Sequence, residues 1–365
     1  MTTATERPAS ISPIRSRATE VVRFRIASLF LALILVIAIV VATGVGAVHI
    51  PLRDIGAIVL NRFGVGDFTP TLRVSDAIIV LQIRIPRVLG AALVGIALSV
   101  AGTLFQGLLR NPLADPYVIG TSGGAALGAT TGILLVSAYS TVPYLAVPTL
   151  AFVGALGTMV LVYWLARVEG RTPIITLLLA GFAVSVILGY VVSFLLTISD
   201  RLQLNIGVVY AWLLGGISVT RWSQLGVIAC IVLLSAGLSL LLGRDLNALS
   251  LGDESAEYLG VHVERTRVAI IVVGSLLTAA AVSVGGLIGF VGLIVPHTLR
   301  LVFGPNHSRL LVLSALGGAT FLVLADLLAR TALAPTELPV GIVTAFIGGP
   351  AFLLLLRRTK REYRF

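Results

Sequence analysis

The sequence is short of charge and nearly free of cysteine. Only 12% of its 365 residues are charged, whereas 57% are hydrophobic; a soluble domain carries about 25% charged residues. This shortage excludes an ordinary soluble protein. The single cysteine, Cys230, excludes an internal disulfide and a cysteine metal cluster, and the four scattered histidines have no metal-ligand spacing. We therefore predict no metal site.

Lysine is also almost absent, because Lys360 near the C-terminus is the only one. A phosphate-binding loop of the form GxxxxGK[ST] requires a lysine directly after a glycine-rich turn, so this chain contains no such loop. We expect no cofactor in the chain itself. If ATP and Mg drive its function, a partner subunit must bind them.

Long apolar segments take up most of the chain. A helix needs about 20 apolar residues to cross a bilayer, and about ten segments meet this criterion. The runs are continuous rather than alternating, which favours helices over a barrel. We predict an all-α integral membrane protein with about ten transmembrane helices. The predicted spans are 26–47, 86–109, 118–137, 143–166, 174–198, 222–242, 268–284, 287–301, 310–329 and 339–356.

The charge distribution predicts the domain organisation and the orientation. Residues 1–25 form a polar, arginine-containing tail, residues 26–356 a single transmembrane domain, and residues 357–365 a basic tail. Arginines collect on the side that holds both tails, which places both termini in the cytoplasm. This topology explains the net charge of +10 better than nucleic-acid binding does. The piece 208–214 is too short to cross and is predicted to be re-entrant or interfacial.

Small residues recur every fourth position on both sides of the polar hinge 110–117. This spacing puts them on one helical face, which allows close helix approach in lipid. The stretch Gln82–Gly132 is therefore predicted to be a tightly packed hairpin. The glycines that we assign to packing faces or a pathway are Gly120, Gly124, Gly128, Gly181, Gly189, Gly341 and Gly349.

Three arginines lie at the predicted outer edge, where such residues are normally scarce. Arg84 and Arg87 precede the second span, and Arg330 closes the ninth. They either reach phospholipid headgroups or wait for acidic residues of an extracytoplasmic partner. Asp326 stands four residues before Arg330, the spacing of a helical ion pair.

The segment Leu251–Val261 is acidic, helix-competent and predicted to be cytoplasmic. It is either a solvated loop or a short helix that fits a groove on a partner subunit. The residues assigned to this coupling segment are Leu251, Gly252, Asp253, Glu254, Ser255, Ala256, Leu259 and Gly260.

Two other functions are disfavoured. The residues Gly120–Gly124 fit GxSxG, and GTSG resembles the serine motif of rhomboid intramembrane proteases, but the strand–turn–helix context of a nucleophile elbow is missing. Ser122 is therefore interpreted as a packing residue. A stand-alone secondary transporter or channel is expected to carry ionisable residues along its spans, whereas Asp326 is nearly isolated.

Several strings together resemble the FecCD-type permeases, the membrane subunits of type II ABC importers. They run in order through almost the whole chain after the N-terminal tail: QIRIPRVLGAALVG, RNPLADPYVIGTSGGA, LGDESAEYLGV, GGLIGFVGLIVPHTLR, LADLLAR and ELPVGIVTAFIGGPAF. The resemblance implies a ten-helix permease that pairs with a second permease copy, identical or related. It also implies two cytoplasmic ATPase subunits that bind ATP and Mg, and an extracytoplasmic substrate-binding protein.

Residue roles and cargo also follow from the resemblance. By motif, Arg84, Arg87 and Arg330 would contact glutamates of the binding protein, and Leu251–Val261 would dock on the ATPase. The fifth and tenth spans would line the pathway. The implied cargo is a chelated metal: iron–siderophore is chosen here, with haem and cobalamin as alternatives. The implied location is the bacterial cytoplasmic membrane.

Overall fold

The structure is a computed structural model that describes residues 17–46, 50–62, 64, 74–219 and 221–359. Most of the predicted N-terminal tail and the end of the basic C-terminal tail lie outside these ranges. Within them the chain is helical, with one isolated bridge between Val168 and Arg171 in place of a sheet. The predicted all-α class is confirmed.

In the described ranges, eight helices are long and apolar enough to cross a membrane, and two shorter apolar helices accompany them. These ten match the predicted spans. They are α1 (Arg17–Gly44), α4 (Ile85–Leu108), α5 (Thr121–Ala138), α6 (Ala146–Ala166), α7 (Ile174–Ile198), α10 (Trp222–Leu249), α12 (Val263–Gly285), α13 (Val291–Phe303), α14 (His307–Thr331) and α15 (Val340–Thr359). The short helices are α2 (Leu52–Arg62), α3 (Val74–Ile78), α8 (Asp200–Leu204), α9 (Ile206–Leu213) and α11 (Asp253–Tyr258).

Helix α4 lies at the centre of the molecule and is almost completely buried. It packs against α14, α12, α10 and α13. Gly95 faces the backbone of Gly318 on α14, and Gly102 faces that of Gly292 on α13, so closely that a Cβ at either glycine would overlap a carbonyl. The small residues of α4 therefore let α13 and α14 approach it closely, as small residues do between membrane helices.

The predicted hairpin of α4 and α5 is wrong in one respect. The two helices are consecutive, but α5 packs against α6 rather than α4. Gly124 and Gly128 press against the backbone of Gly154 and Leu150 on α6. Every-fourth spacing identifies a face that packs closely, but it does not identify the partner helix, because any helix with small residues fits such a face.

The hinge between α4 and α5 is held to the start of α13. The Gln106 amide donates to the carbonyls of Gly292 (3.3 Å) and Leu293 (3.1 Å). A 3₁₀ turn, Pro116–Ile119, follows Asp115, whose carboxylate accepts the Tyr117 N–H at 2.9 Å. Burial raises the pKa of Asp115 to about 6, against this hydrogen bond, which lowers it.

The short helix predicted around 208–214 is present as α9. It ends where two other turns meet it: Gly216 N donates to Gly285 O at 2.9 Å, and Gly341 N donates to Gly215 O at 3.3 Å. Gly286 and Gly215 both have positive φ, which lets these backbones approach. The end of α9, the turn after α12 and the start of α15 therefore form one junction.

Candidate functional site

Arg84 and Arg87 lie at a local irregularity in the continuous helical stretch Val74–Leu108. Between α3 and α4 the chain forms a π-helical segment, Ile79–Arg84, that continues directly into α4. A π segment leaves backbone carbonyls without their usual helical partners, and such segments are frequent at functional sites. Here the Trp222 indole donates to the carbonyl of Leu81 at 2.9 Å. The segment places Arg84 and Arg87 at the beginning of α4.

Arg84 and Arg330 both point inward and cap the C-terminal end of α1. Arg84 Nη1 donates to the carbonyls of Thr43 (3.1 Å) and Gly44 (3.0 Å), and Arg330 Nη2 donates to that of Ala42 (3.1 Å). The last carbonyls of a helix lack partners within the helix and carry partial negative charge, so cations stabilise this end. The two side chains are only 5% and 6% exposed.

Asp326 holds two of the three arginines together. Its carboxylate accepts from Arg330 Nε at 2.9 Å and from Arg87 Nε at 3.0 Å, which confirms the predicted pair four residues apart. Arg87 also donates to Glu337, in the connection from α14 to α15, at 2.7 Å. The Arg87 side chain is 20% exposed, the most of the three.

These contacts revise the prediction of three waiting cations. Arg84 and Arg330 are buried against α1, and only Arg87 presents part of its guanidinium at the surface. Contact with a binding protein stays a prediction for all three. Sequence reasoning missed Glu337, because the pairing joins residues 250 positions apart and no local spacing reveals it.

The predicted coupling segment contains the short helix α11, which projects from the α10–α12 connection. Its surface combines acidic side chains with large exposed groups: Leu251, Leu259 and above all Tyr258, which is 92% exposed. Ala256 is the exception, since it is fully buried beneath the helix. Tyr258 lies inside the predicted range but was not singled out. A half-apolar, half-acidic surface of this kind suits a protein partner.

Asp253 is directed toward the body of the protein, unlike the exposed side chains of α11. It binds Arg110, just after α4, and Arg267 on α12 at 3.0 Å. Among the predicted coupling residues, Asp253 and Ala256 therefore attach α11 to the molecule. Arg110 and Arg267 were not predicted as members of this site.

The glycines assigned to packing or a pathway fall into two groups. Five lie against backbone of the same chain. Gly124 and Gly128 contact α6, and Gly341 contacts the carbonyl of Leu214. Gly120 contacts the backbone of Gly181, which in turn contacts the 3₁₀ turn that precedes Gly120. Gly189 and Gly349 have essentially open space beside them. They lie on α7 and α15, whose outer faces carry exposed Phe182, Tyr190 and Phe346.

An apolar cavity of 480 Å³ lies beside the junction of the end of α9, the turn after α12 and the start of α15. Leu213, Leu287, Phe290 and Phe346 line it. Phe290 has a left-handed backbone (φ 69°), uncommon for a bulky residue, and Gly348 of α15 packs against its Cβ. Phe346 in its lining is 78% exposed, so the cavity reaches the surface of the molecule beside α15.

The geometry gives no support to serine catalysis. Ser122 lies in the first turn of α5 after a 3₁₀ turn, and no hydrogen bond joins it to a histidine among the described residues. The described part of the chain also holds no group of three His, Cys, Asp or Glu residues able to bind a metal ion.

Comparisons with known proteins agree with this architecture. The sequence model of the FecCD transport family matches residues 34–358. The chain is 45% identical over 285 residues to the hemin transport system permease protein of Yersinia pestis, covering 77% of this chain and 84% of the relative. It is 47% identical over 287 residues to the cobalamin import system permease protein of Halobacterium salinarum, covering 79% and 75%.

A solved structure shows the same fold. It is described as an inward-facing conformation of a metal-chelate type ABC transporter, and it superimposes with a TM-score of 0.75 at 31% identity. The match covers 92% of this chain and 99% of the other. With the family match over nearly all of its length, this chain belongs to the FecCD transport family and has the fold of an ABC-transporter permease.

Proposed function

We propose that this chain is the membrane permease subunit of an ATP-driven importer that carries a chelated metal into the cytoplasm. It works with a second permease copy, two ATPase subunits and an extracytoplasmic binding protein. Helix α11 is the observation that carries the proposal. It is an exposed acidic and aromatic helix on a chain that lacks a phosphate-binding lysine motif, so ATP energy has to arrive through a docked partner.

The orientation follows from the same assignment. If α11 faces the ATPase in the cytoplasm, ten crossings place both termini on that side, in line with the arginine bias. The cluster of Arg84, Arg87, Asp326, Arg330 and Glu337 then lies at the outer surface. An acidic binding protein would dock there, with the partly exposed Arg87 as its first contact.

The cargo proposed is iron bound to a siderophore. Relatives of nearly equal similarity are named for hemin and for cobalamin, so overall similarity does not select a chelate. The apolar cavity beside α15 suits a large organic chelate better than a hydrated ion. Metal is cargo in this proposal and has no resident site in the chain.

Reconstitution tests the proposal. The permease is expressed with its candidate ATPase and binding protein, purified, and placed in proteoliposomes with internal ATP. We expect the ATPase to copurify and ferric siderophore, hemin or cobalamin uptake to require ATP. Uptake should fall in an Arg87→Glu variant, because a reversed charge repels an acidic partner. Uptake without ATPase and without ATP, undiminished by Arg87→Glu, would instead show a stand-alone transporter.

A further inference from the structure

Helix α11 is attached to the protein through one carboxylate shared by two arginines. Asp253, in its first turn, binds Arg110 through one oxygen and Arg267 through the other, the latter at 3.0 Å. Arg110 also donates from Nε to the carbonyl of Leu249 at 2.7 Å. The base of α11 is therefore fixed both to the hinge after α4 and to the beginning of α12.

Arg267 reaches in the opposite direction as well. Its Nη1 donates to the backbone carbonyl of Thr172 at 3.2 Å and to Glu264 at 3.3 Å. The Thr172 hydroxyl donates to the other oxygen of Glu264 at 2.7 Å. Thr172 is fully buried and Arg267 is about nine-tenths buried. One guanidinium thus joins α11 to the connection between α6 and α7.

This connection is a stiff element rather than a slack loop. Val168 and Arg171 exchange backbone hydrogen bonds of 2.9 and 3.0 Å. The two residues between them, Glu169 and Gly170, both have positive φ, the geometry of a type I′ turn. Pro173, immediately after Thr172, is the N-cap of α7. A displacement of Thr172 is therefore passed directly to the start of α7.

The alternative is an ordinary set of ion pairs at the membrane edge. Exposed pairs contribute little to stability and need no further role. Burial argues against that reading for Arg267. A buried guanidinium is costly to leave without its carboxylates. When α11 moves, Arg267 therefore moves with Asp253 and either carries Thr172 along or loses its contact to Thr172.

We propose that Arg267 is a positioning residue that transmits the displacement of α11 to the α6–α7 turn and to the start of α7. This inference rests on the proposed docking of an ATPase on α11. Arg267 itself touches neither nucleotide nor cargo; it converts movement of the docking helix into movement of α7, which carries exposed apolar side chains.

The test uses the complete reconstituted complex and compares Arg267→Gln with Arg265→Gln. Arg265 lies on the same helix two residues earlier, is exposed, and makes no ion pair among the described residues. Copurification of the ATPase, the rate of ATP hydrolysis and cargo uptake per ATP are measured. We expect Arg267→Gln to keep the ATPase bound and hydrolysing while uptake per ATP falls about fivefold or more. Arg265→Gln should match the wild type.

A second variant covers the case in which Arg267→Gln does not fold. Thr172→Val keeps size and removes only the hydroxyl that binds Glu264, and it should lower uptake per ATP in the same direction. Unchanged uptake per ATP in both folded variants, or loss of ATPase binding in Arg267→Gln, would overturn the relay. Absence of ATPase binding by the wild-type permease would refute the proposed function instead, so the two failures are distinguishable.

Discussion

Asp326 shows what single residues contribute here, because one buried carboxylate serves two guanidinium groups. It is fully buried, and its partners come from α4 and from its own helix. A charge in this position is tolerated only when it is paired. The arginines depend on it in the same way, so the three groups stabilise this end of the molecule as a unit.

Removing this carboxylate should be costly. Asp326→Ala leaves Arg87 and Arg330 without their shared partner, and breaking a buried pair costs about 3–5 kcal/mol. Glu337→Gln is the matched control: it loses a pair whose acid is half exposed, worth about 0–1 kcal/mol. Denaturant titration in detergent measures both free energies of unfolding. Equal effects would contradict the assignment of Asp326 as the central group.

Asp115 predicts a pH dependence. Burial raises its pKa from the ordinary 3.8 to about 6 in the folded protein, so between these values the native state binds the extra proton. Stability should therefore increase as pH falls from 7 through 6 toward 4. Asp115→Asn, which still accepts the Tyr117 N–H, should remove this increment. Thermal unfolding in detergent at pH 7 and pH 5 checks this prediction. The unfolding temperature of the variant should exceed that of the wild type by more at pH 7 than at pH 5.

At the scale of helices, close packing through small residues decides which elements touch. The periodicity of the sequence predicted the helices, and the small faces of α4 and α5 do pack closely, since both depend on spacing along one segment. It did not identify α6 and α14 as the partners of α5 and α4, because partner choice depends on surfaces far apart in sequence. The burial of Arg84 and Arg330 was missed for the same reason: their acceptors are on α1.

Substitution by alanine should lower the free energy of unfolding at a closely packed glycine and leave it unchanged or raise it at an open one. Gly95→Ala places a methyl group against the backbone of Gly318, which cannot rotate away, and should destabilise by about 1–3 kcal/mol. Gly157→Ala on α6 meets nothing within 4 Å and should be neutral or stabilising by up to about 1 kcal/mol. Thermal unfolding in detergent compares them. Similar losses in both variants would argue against the α4–α14 contact.

At the scale of the whole molecule, α7 and α15 each leave an apolar face exposed. Phe182 and Tyr190 lie exposed on α7, which also carries the open Gly189, and Phe346 lies exposed on α15, where it lines the apolar cavity. Lipid covers such a face adequately, whereas a second copy would also complete the cavity. The family resemblance in the sequence pointed to these two helices; the open space at Gly189 and Gly349 became visible only in three dimensions.

Cysteine cross-linking distinguishes the two coverings. In a Cys230→Ala background, Phe346→Cys should form disulfide-linked dimers on mild oxidation in the membrane if a second copy of this chain covers this face. Val160→Cys on α6, also exposed, is the control and should remain monomeric. Gel electrophoresis without reductant reads the result. Equal cross-linking at both positions, or none at Phe346→Cys, would indicate a lipid-covered face.

The caps on α1 have a consequence for any partner that binds at the outer surface. The guanidinium groups of Arg84 and Arg330 already occupy the terminal carbonyls of Ala42, Thr43 and Gly44. An external carboxylate that draws these same Nη donors to itself competes with the α1 carbonyls for them. By reciprocity, the free energy that α1 gains from these caps is subtracted from the binding free energy of the external carboxylate. Helix α1 therefore competes with the partner for Arg84 and Arg330. Its C-terminal end should become less ordered when the partner binds them.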